Sequence, residues 1–292
     1  MLLPILTATG QPKRYLMTKR DGKFIETVLE YHLEHGRHTL PWRQTVNPYR
    51  ILVSEIMLQQ TQVDRVVPKY RAFLKAFPTT TKLASAPLGD VLKRWQGLGY
   101  NRRAKLLHEC AKAVVVEYKG RWPTDYQTLQ KLPGIGPYTA GAVMAFAYDE
   151  GVPLIETNVR TVYLHHFFKN QTDVTDQQIL RLVAVHVAHI STRTVGPRTW
   201  YAALMDYGTH LKKIHGNPNS RAKGYVKQST FVGSDRQIRG AILRVLTQSS
   251  LTRRTLLQTL IQFEDIRIDA QLEKLLQEEM VTKTKQTYHL PP

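Results

Sequence analysis

Apolar residues recur at intervals of three and four along most of this 292-residue chain, the spacing that turns one face of an α-helix toward a core. The stretch FIETVLEYHLEHG puts Phe24, Val28, Leu29 and Leu33 on one stripe and stops at Gly36. PYRILVSEIMLQQTQVDRVVPKYRAFLKAF reads as two helices broken at Pro68, because an interior proline removes a hydrogen bond and clashes with the preceding turn. PLGDVLKRWQGLG, RRAKLLHECAKAVVVEYKG and DYQTLQKL each end on glycine or proline signals. YTAGAVMAFAY is apolar nearly all round, the mark of a helix buried on every side. DQQILRLVAVHVAHI and RTWYAALMDYGTHLKK supply further helices, and no sustained alternation predicts a sheet before residue 280. Up to about residue 230 the chain therefore reads as all-α.

The tail has its own pattern. Ile238, Ile242, Val245 and Leu246 form one apolar set; Leu256, Leu257, Leu260 and Ile261 form a second; Leu272, Leu275, Leu276 and Met280 form a third, and VTKTKQTYHL follows as a strand or hairpin. Three short helices and a terminal hairpin make a winged-helix-like module, a type that usually reads DNA with a helix in the major groove. A small packing domain is the other reading, since its charge is near neutral. Between body and tail, residues 208 to 232 carry five Lys+Arg and no acid among glycine, asparagine, proline and serine, which reads as a basic loop. The expected organisation is an N-terminal extension over 1–22, a helical core over 23–207, the loop over 208–232 and the module over 233–292.

Charge changes the picture from fold to partner. Lys+Arg number 41 against 23 Asp+Glu, a net charge of +18, and such an excess favours a polyanion, nucleic acid ahead of membrane. The sequence contains no apolar run long enough to span a bilayer. In MLLPILTATGQPKRYLMTKR the apolar residues precede the charges, the reverse of a secretory signal. This points to a cytoplasmic location, and the single cysteine, Cys110, agrees by excluding an intrachain disulfide; a monomer is expected. His165 and His166 resemble a metal pair but lack companion ligands at the right spacing, so no metal is expected.

The most specific local signal is LPGIGPYTAG, residues 132 to 141. Two glycines one residue apart, between the end of one helix and the start of another, make a turn whose amides can approach a phosphate. Here the chain resembles the helix-hairpin-helix DNA glycosylases, and among them the MutY-like adenine enzymes. The resemblance runs from about Lys23 to Gly208 and is carried by LPWR, PYRILVSEIMLQQTQV, FPTTTKLASAPLGDVLKRWQGLGY, RRAKLLH, the hairpin and ETNVR. It implies an all-α, two-lobed core with DNA between the lobes, and hydrolysis of the glycosidic bond of a base flipped out of the duplex. The implied partner is double-stranded DNA carrying a mispair or lesion, with adenine opposite oxidised guanine or G as the substrate. Thymine or uracil mismatch glycosylases share the core and remain an alternative, as does a lesion binder with lapsed catalysis.

The resemblance also assigns roles. Such hydrolysis needs a proton for the departing base and negative charge beside the sugar cation. Glu55 matches the general acid, and its neighbours Ile56, Met57 and Leu58 predict burial. Glu156 falls where the family carries an aspartate that stabilises the cation, one methylene longer than the motif. Asn158 matches a residue that holds this carboxylate and water. Tyr138 stands where bifunctional relatives have a Schiff-base lysine, which implies base excision without efficient strand cleavage. Arg43 matches an arginine near the flipped base, and Gln59 and Gln60 match residues near the vacated stack. Gly134, Ile135 and Gly136 would offer hairpin amides to a phosphate. Two departures stand out. The family's four-cysteine iron–sulfur loop has no counterpart in a chain with one cysteine, so no cofactor is expected, and Lys212, Lys213, Arg221 and Lys223 are read as taking over backbone contact. The winged-helix-like module stands where relatives carry a domain that inspects the opposite base.

Overall fold

The computed structural model describes the backbone of residues 3–6, 12–192 and 195–292, with side chains from residue 16 onward apart from 193 and 194. Two strands open the chain, β1 (Leu3–Leu6) and β2 (Pro12–Tyr15), followed by α1 (Lys19–His35), α2 (Pro48–Leu58), α3 (Val63–Ala76), α4 (Thr80–Ala84), α5 (Leu88–Trp95) and α6 (Arg102–Glu117). Next come α7 (Tyr126–Lys131), α8 (Pro137–Tyr148), α9 (Thr157–His166), α10 (Asp176–Ile190) and α11 (Pro197–His215). The tail holds α12 (Asp235–Leu246), β3 (Leu251–Thr252), α13 (Arg253–Thr259), α14 (Asp265–Gln277), β4 (Thr282–Thr284) and β5 (Thr287–His289). Contacts divide the chain into two compact units, one of residues 1–51, 124–130 and 136–227, the other of 52–123, 131–135 and 228–292.

The first unit is built round α8, whose residues from Thr139 to Ala145 are all buried, as their all-round apolar character requires. Phe24 of α1 meets Tyr163, Phe167 and Trp200 edge-on, with ring centroids 5.5, 4.9 and 5.7 Å apart. α9 lies against α11, and Gly208 makes that approach possible: a Cβ there would meet the Asn158 carbonyl oxygen at 2.4 Å and its Cβ at 2.8 Å. α1 starts at Lys19, inside the expected extension, because Thr18 and Asp21 form a capping box. Its buried face is Asp21, Phe24, Ile25, Val28 and His32, while Leu33 is 80% exposed. The predicted stripe is turned because His32 is drawn inward to a hydrogen bond with a buried carboxylate described below.

The second unit packs α3 to α6 round Phe73, Phe77 and Trp95. Residues 228–292 cluster with these helices rather than standing apart. Gly89 N–H at the start of α5 donates to the Pro291 carbonyl at 2.9 Å, and Lys105 Nζ donates to the Glu278 carbonyl at 2.7 Å. Within the tail β5 pairs antiparallel with both β3 and β4, and α13 and α14 intervene between β3 and β4. That is winged-helix topology. Ile261, expected in its core, is 84% exposed, because α13 ends at Thr259.

Three sequence expectations need correcting. β1 and β2 form an antiparallel hairpin with Leu3 opposite Tyr15; Pro4 and Pro12 hid it, since prolines argue against strands except at edges. Pro68 lies inside a continuous α3, and the true break is the turn after α2, where Gln60 is left-handed at φ +53°. The segment expected to become loop at residue 208 stays helical to His215.

Candidate active site

Glu156 is the N-cap of α9. Its Oε1 accepts from the backbone N–H groups of Asn158 at 2.7 Å and Val159 at 2.8 Å, and its Oε2 accepts from Asn158 Nδ2 at 3.2 Å. The helix N-terminus therefore holds the carboxylate in one orientation and favours its negative form. Enclosure pushes the other way and prevails: burial raises the Glu156 pKa above the ordinary carboxylate range, against the amides of Asn158 and Val159 and the charges of Lys212 and Arg160. Arg160 is itself engaged with Asp176 at 2.7 Å. Lys212 reaches in from α11, its Nζ 2.8 Å from Asn158 Oδ1 and 2.9 Å from Thr157 Oγ1. The result is an anion fixed at three points beside an amide fixed by a cation.

The hairpin between α7 and α8 is a real turn. Gly134 has φ +73°, and a Cβ there would strike Leu106 Cβ at 2.7 Å, so only glycine fits. Ile135 is buried and donates its N–H to the Leu132 carbonyl at 3.2 Å. Its amide is spent within the turn, which leaves Gly134 and Gly136 as exposed candidates for a phosphate. Tyr138 follows at the start of α8, half-buried against the core.

In the other unit Glu55 is buried in α2, as are its chain neighbours Val53, Ser54, Ile56 and Met57. Gln59 and Gln60 occupy the turn that follows. Arg103 organises that turn: its guanidinium donates to the carbonyls of Ile56 at 2.6 Å and Met57 at 3.2 Å and to that of Gln59, and on its other side to Leu98 and Gly99, each at 3.1 Å. Burial lowers its pKa to about 10. Tyr100, left-handed at φ +46°, lies under this guanidinium, and Gln228 donates to both Tyr100 Oη and Gln60 Oε1. Sequence reasoning missed Arg103, whose partners are mostly backbone carbonyls.

Comparison with known proteins supplies the family. A model described as HhH-GPD superfamily base excision DNA repair protein matches residues 53–199. The chain belongs to the HhH-GPD superfamily. A relative from Mycolicibacterium smegmatis called adenine DNA glycosylase is 37% identical over 86% of this chain and 90% of its own. Another so named, from Mycobacterium tuberculosis, is 34% identical over 89% and 90%. Among solved structures a thermostable thymine-DNA glycosylase superposes with a TM-score of 0.59 and 26% identity, covering 70% of this chain and 93% of its own.

In this HhH-GPD protein Arg43 is committed to a buried partner. Its Nη1 and Nη2 donate to Asp206 Oδ2 and Oδ1 at 2.5 and 2.9 Å. Arg37 adds Nε to Oδ1 at 2.6 Å and its backbone N–H to Oδ2 at 3.1 Å, and His32 Nδ1 lies 2.9 Å from Oδ2. Burial alone would push the Asp206 pKa up, but the bonds from His32 and Arg43 and the charges of Arg43 and Arg37 hold it far below the usual range. Asp206 is the buried acid that the sequence concealed; its one signal is an aspartate inside the apolar run WYAALMDYG. Because its folded pKa is depressed, its stabilisation is present above the ordinary value near pH ~4 and lost as pH falls through the folded one. Asp206→Asn should strand two arginines and lower stability by about 3–5 kcal/mol, seen as a lower denaturation midpoint at unchanged slope.

The basic segment separates into two kinds of residue. Lys213 and Lys223 are exposed. Arg221 turns inward and donates to the carbonyls of Phe168 at 2.6 Å, Lys169, and Leu164 at 3.1 Å, closing the C-terminal end of α9. Lys223 N–H donates to the Val174 carbonyl at 2.9 Å, and Asn219 Nδ2 to Thr161 Oγ1 at 2.9 Å. Side chains and backbone thus tie the segment down. The donors do not suit an iron–sulfur cluster: the segment has no cysteine, and Cys110 lies in α6 with its thiol pushed up to about 12 by burial. Among the described residues no three His, Cys, Asp or Glu gather as metal ligands, and no helix is long and apolar enough to cross a membrane. His165 stacks on His215 at 4.9 Å, and His166 Nε2 lies 3.1 Å from Tyr207 Oη. On the tail, α14 carries Asp265, Asp269 and Glu273 against Arg267 and Lys274, a poor balance for a helix meeting phosphates.

Proposed function

We propose that this protein hydrolyses the N-glycosidic bond of a mispaired adenine, opposite oxidised guanine or G, after flipping the base out of the duplex. The observation that carries it is the Glu156 carboxylate, held on the N-terminus of α9 with Asn158 beside it. Glu55 gives a proton to a ring nitrogen of the base. The C1′–N9 bond breaks with its electron pair leaving on adenine, and Glu156 stabilises the oxocarbenium ion that remains. Water then adds to C1′ and gives up a proton that restores the Glu55 acid, which leaves an abasic site and free adenine. Tyr138 offers no amine for a Schiff base, so the strand stays intact. Adenine is favoured by the names of the relatives that match over most of their length.

Binding is to mispaired duplex by a monomer, with no iron–sulfur cluster: hydrogen bonds from Arg221 and Asn219 do the tying. Lys213 and Lys223 meet the backbone. Neutral substitutions at those two should lower the salt slope of duplex binding by about 0.9 each, with melting unchanged. Single-turnover reactions on duplexes bearing A opposite oxidised guanine, A opposite G, T opposite G and U opposite G, each followed by alkali, test the reading. Cleavage is expected for the two adenine duplexes and only after alkali. Cleavage confined to T or U opposite G would assign the thymine-type activity named for the solved neighbour instead.

A further inference from the structure

Lys212 has a use in this site that its net charge does not reveal. A basic residue near the end of a helix in a DNA repair protein reads as a phosphate contact, yet its ammonium is turned toward α9. Two of its three hydrogens are directed at Asn158 Oδ1 and Thr157 Oγ1, 2.8 and 2.9 Å away. The Asn158 amide is planar, with its oxygen and nitrogen on opposite sides. Engaging Oδ1 with Lys212 therefore turns Nδ2 toward Glu156, where it donates to Oε2 at 3.2 Å. Were the amide reversed, its oxygen would face a carboxylate oxygen and find no hydrogen to share.

We propose that Lys212 is a positioning residue for base excision: acting through Asn158, it selects the amide orientation that supports the Glu156 carboxylate, and it supplies that anion with a nearby counter-charge. This rests on the reading of Glu156 as the stabilising carboxylate. The surroundings leave the Asn158 amide to Lys212, which shares the counter-charge with Arg160. On α9 itself Arg160 is engaged with Asp176 of α10. Arg221, in the short helical turn Pro218–Arg221, is spent on carbonyls at the far end of α9. Asn219 of the same turn is neutral and supports Thr157 and Thr161.

The test compares wild type, Lys212→Met, Lys212→Gln and Glu156→Gln on a duplex carrying adenine opposite oxidised guanine. Each is followed by single-turnover excision across pH, duplex affinity and thermal melting. Lys212→Met removes both orientation and charge and should lower the single-turnover rate at least about thirtyfold, the range expected for an outer partner of a catalytic group, with duplex affinity within about threefold. Lys212→Gln keeps an N–H donor for Asn158 Oδ1, on a side chain one bond shorter, but carries no charge. It should keep more of the rate at high pH, while its acid limb moves up by about one pH unit; a merely structural role would leave that limb in place. Wild-type rates and an unmoved limb, with only a smaller salt slope of binding, would overturn the proposal and return Lys212 to the phosphate. If Lys212→Met does not fold, a wild-type limb in Lys212→Gln overturns it equally. Glu156→Gln separates the two readings. If it excises like wild type, the assignment of Glu156 fails and this inference with it; if it is inactive while both Lys212 variants behave as wild type, only this inference fails.

Discussion

Glu156→Gln should leave duplex binding intact and remove base excision, by at least about 10²–10³-fold, the scale for losing a preorganised electrostatic stabiliser. The substitution removes the charge but keeps the cap, because a glutamine Oε1 can still accept the N–H groups of Asn158 and Val159 that now bond Glu156, while its Nε2 cannot accept from Asn158 Nδ2 and that one bond is lost with the charge. The α9 cap survives, so melting should barely change while single-turnover excision disappears. Glu156→Asp restores the family's residue and keeps the charge, but it withdraws the carboxylate by roughly 1.5 Å from a site that tolerates about 0.5 Å. A loss of about tenfold is expected, because the surrounding amides are set for the longer side chain. The pH profile follows from the same group. Excision needs the carboxylate ionised, and burial raises its pKa, so the rate should fall with acid from a point above the ordinary glutamate range.

Glu55→Gln should reduce excision by at least about a hundredfold while affinity for the mispaired duplex is retained, the usual scale for removing an acid catalyst. The amide has nearly the volume of the acid and can sit in α2 among Ser54, Ile56 and Met57 without opening a cavity. It can still donate a hydrogen bond but cannot deliver a proton to the departing base. Rate measured at saturating enzyme separates this from weaker binding. A variant that binds and excises as wild type would remove Glu55 from the mechanism.

What could be read from the sequence was local. The helix-hairpin-helix turn, the carboxylate in ETNVR and the glutamate in SEIML each lie in a short word whose residues are neighbours in the fold. Their secondary structure follows from apolar spacing and from glycine. What escaped depended on pairing across the chain. Asp206 meets His32, Arg37 and Arg43 from 174, 169 and 163 residues away, and no local pattern connects them. The basic residues 212 to 223 look alike as letters, yet Lys212 and Arg221 point into the protein and Lys213 and Lys223 do not. Charge fixes neither the direction of a side chain nor its partner. The tail was legible as a winged helix, whereas its attachment to α5 through Gly89 and Pro291 runs through backbone groups that carry no sequence signal.

The most direct test is mass analysis of both products from wild-type protein incubated with a duplex carrying adenine opposite oxidised guanine, before any alkali is added. One free adenine for each strand that has lost its base and gained water, with that strand otherwise full length, is the result expected of a hydrolytic adenine glycosylase. An unchanged strand with no free adenine, despite tight binding, would contradict the enzymatic reading and leave a lesion-binding protein.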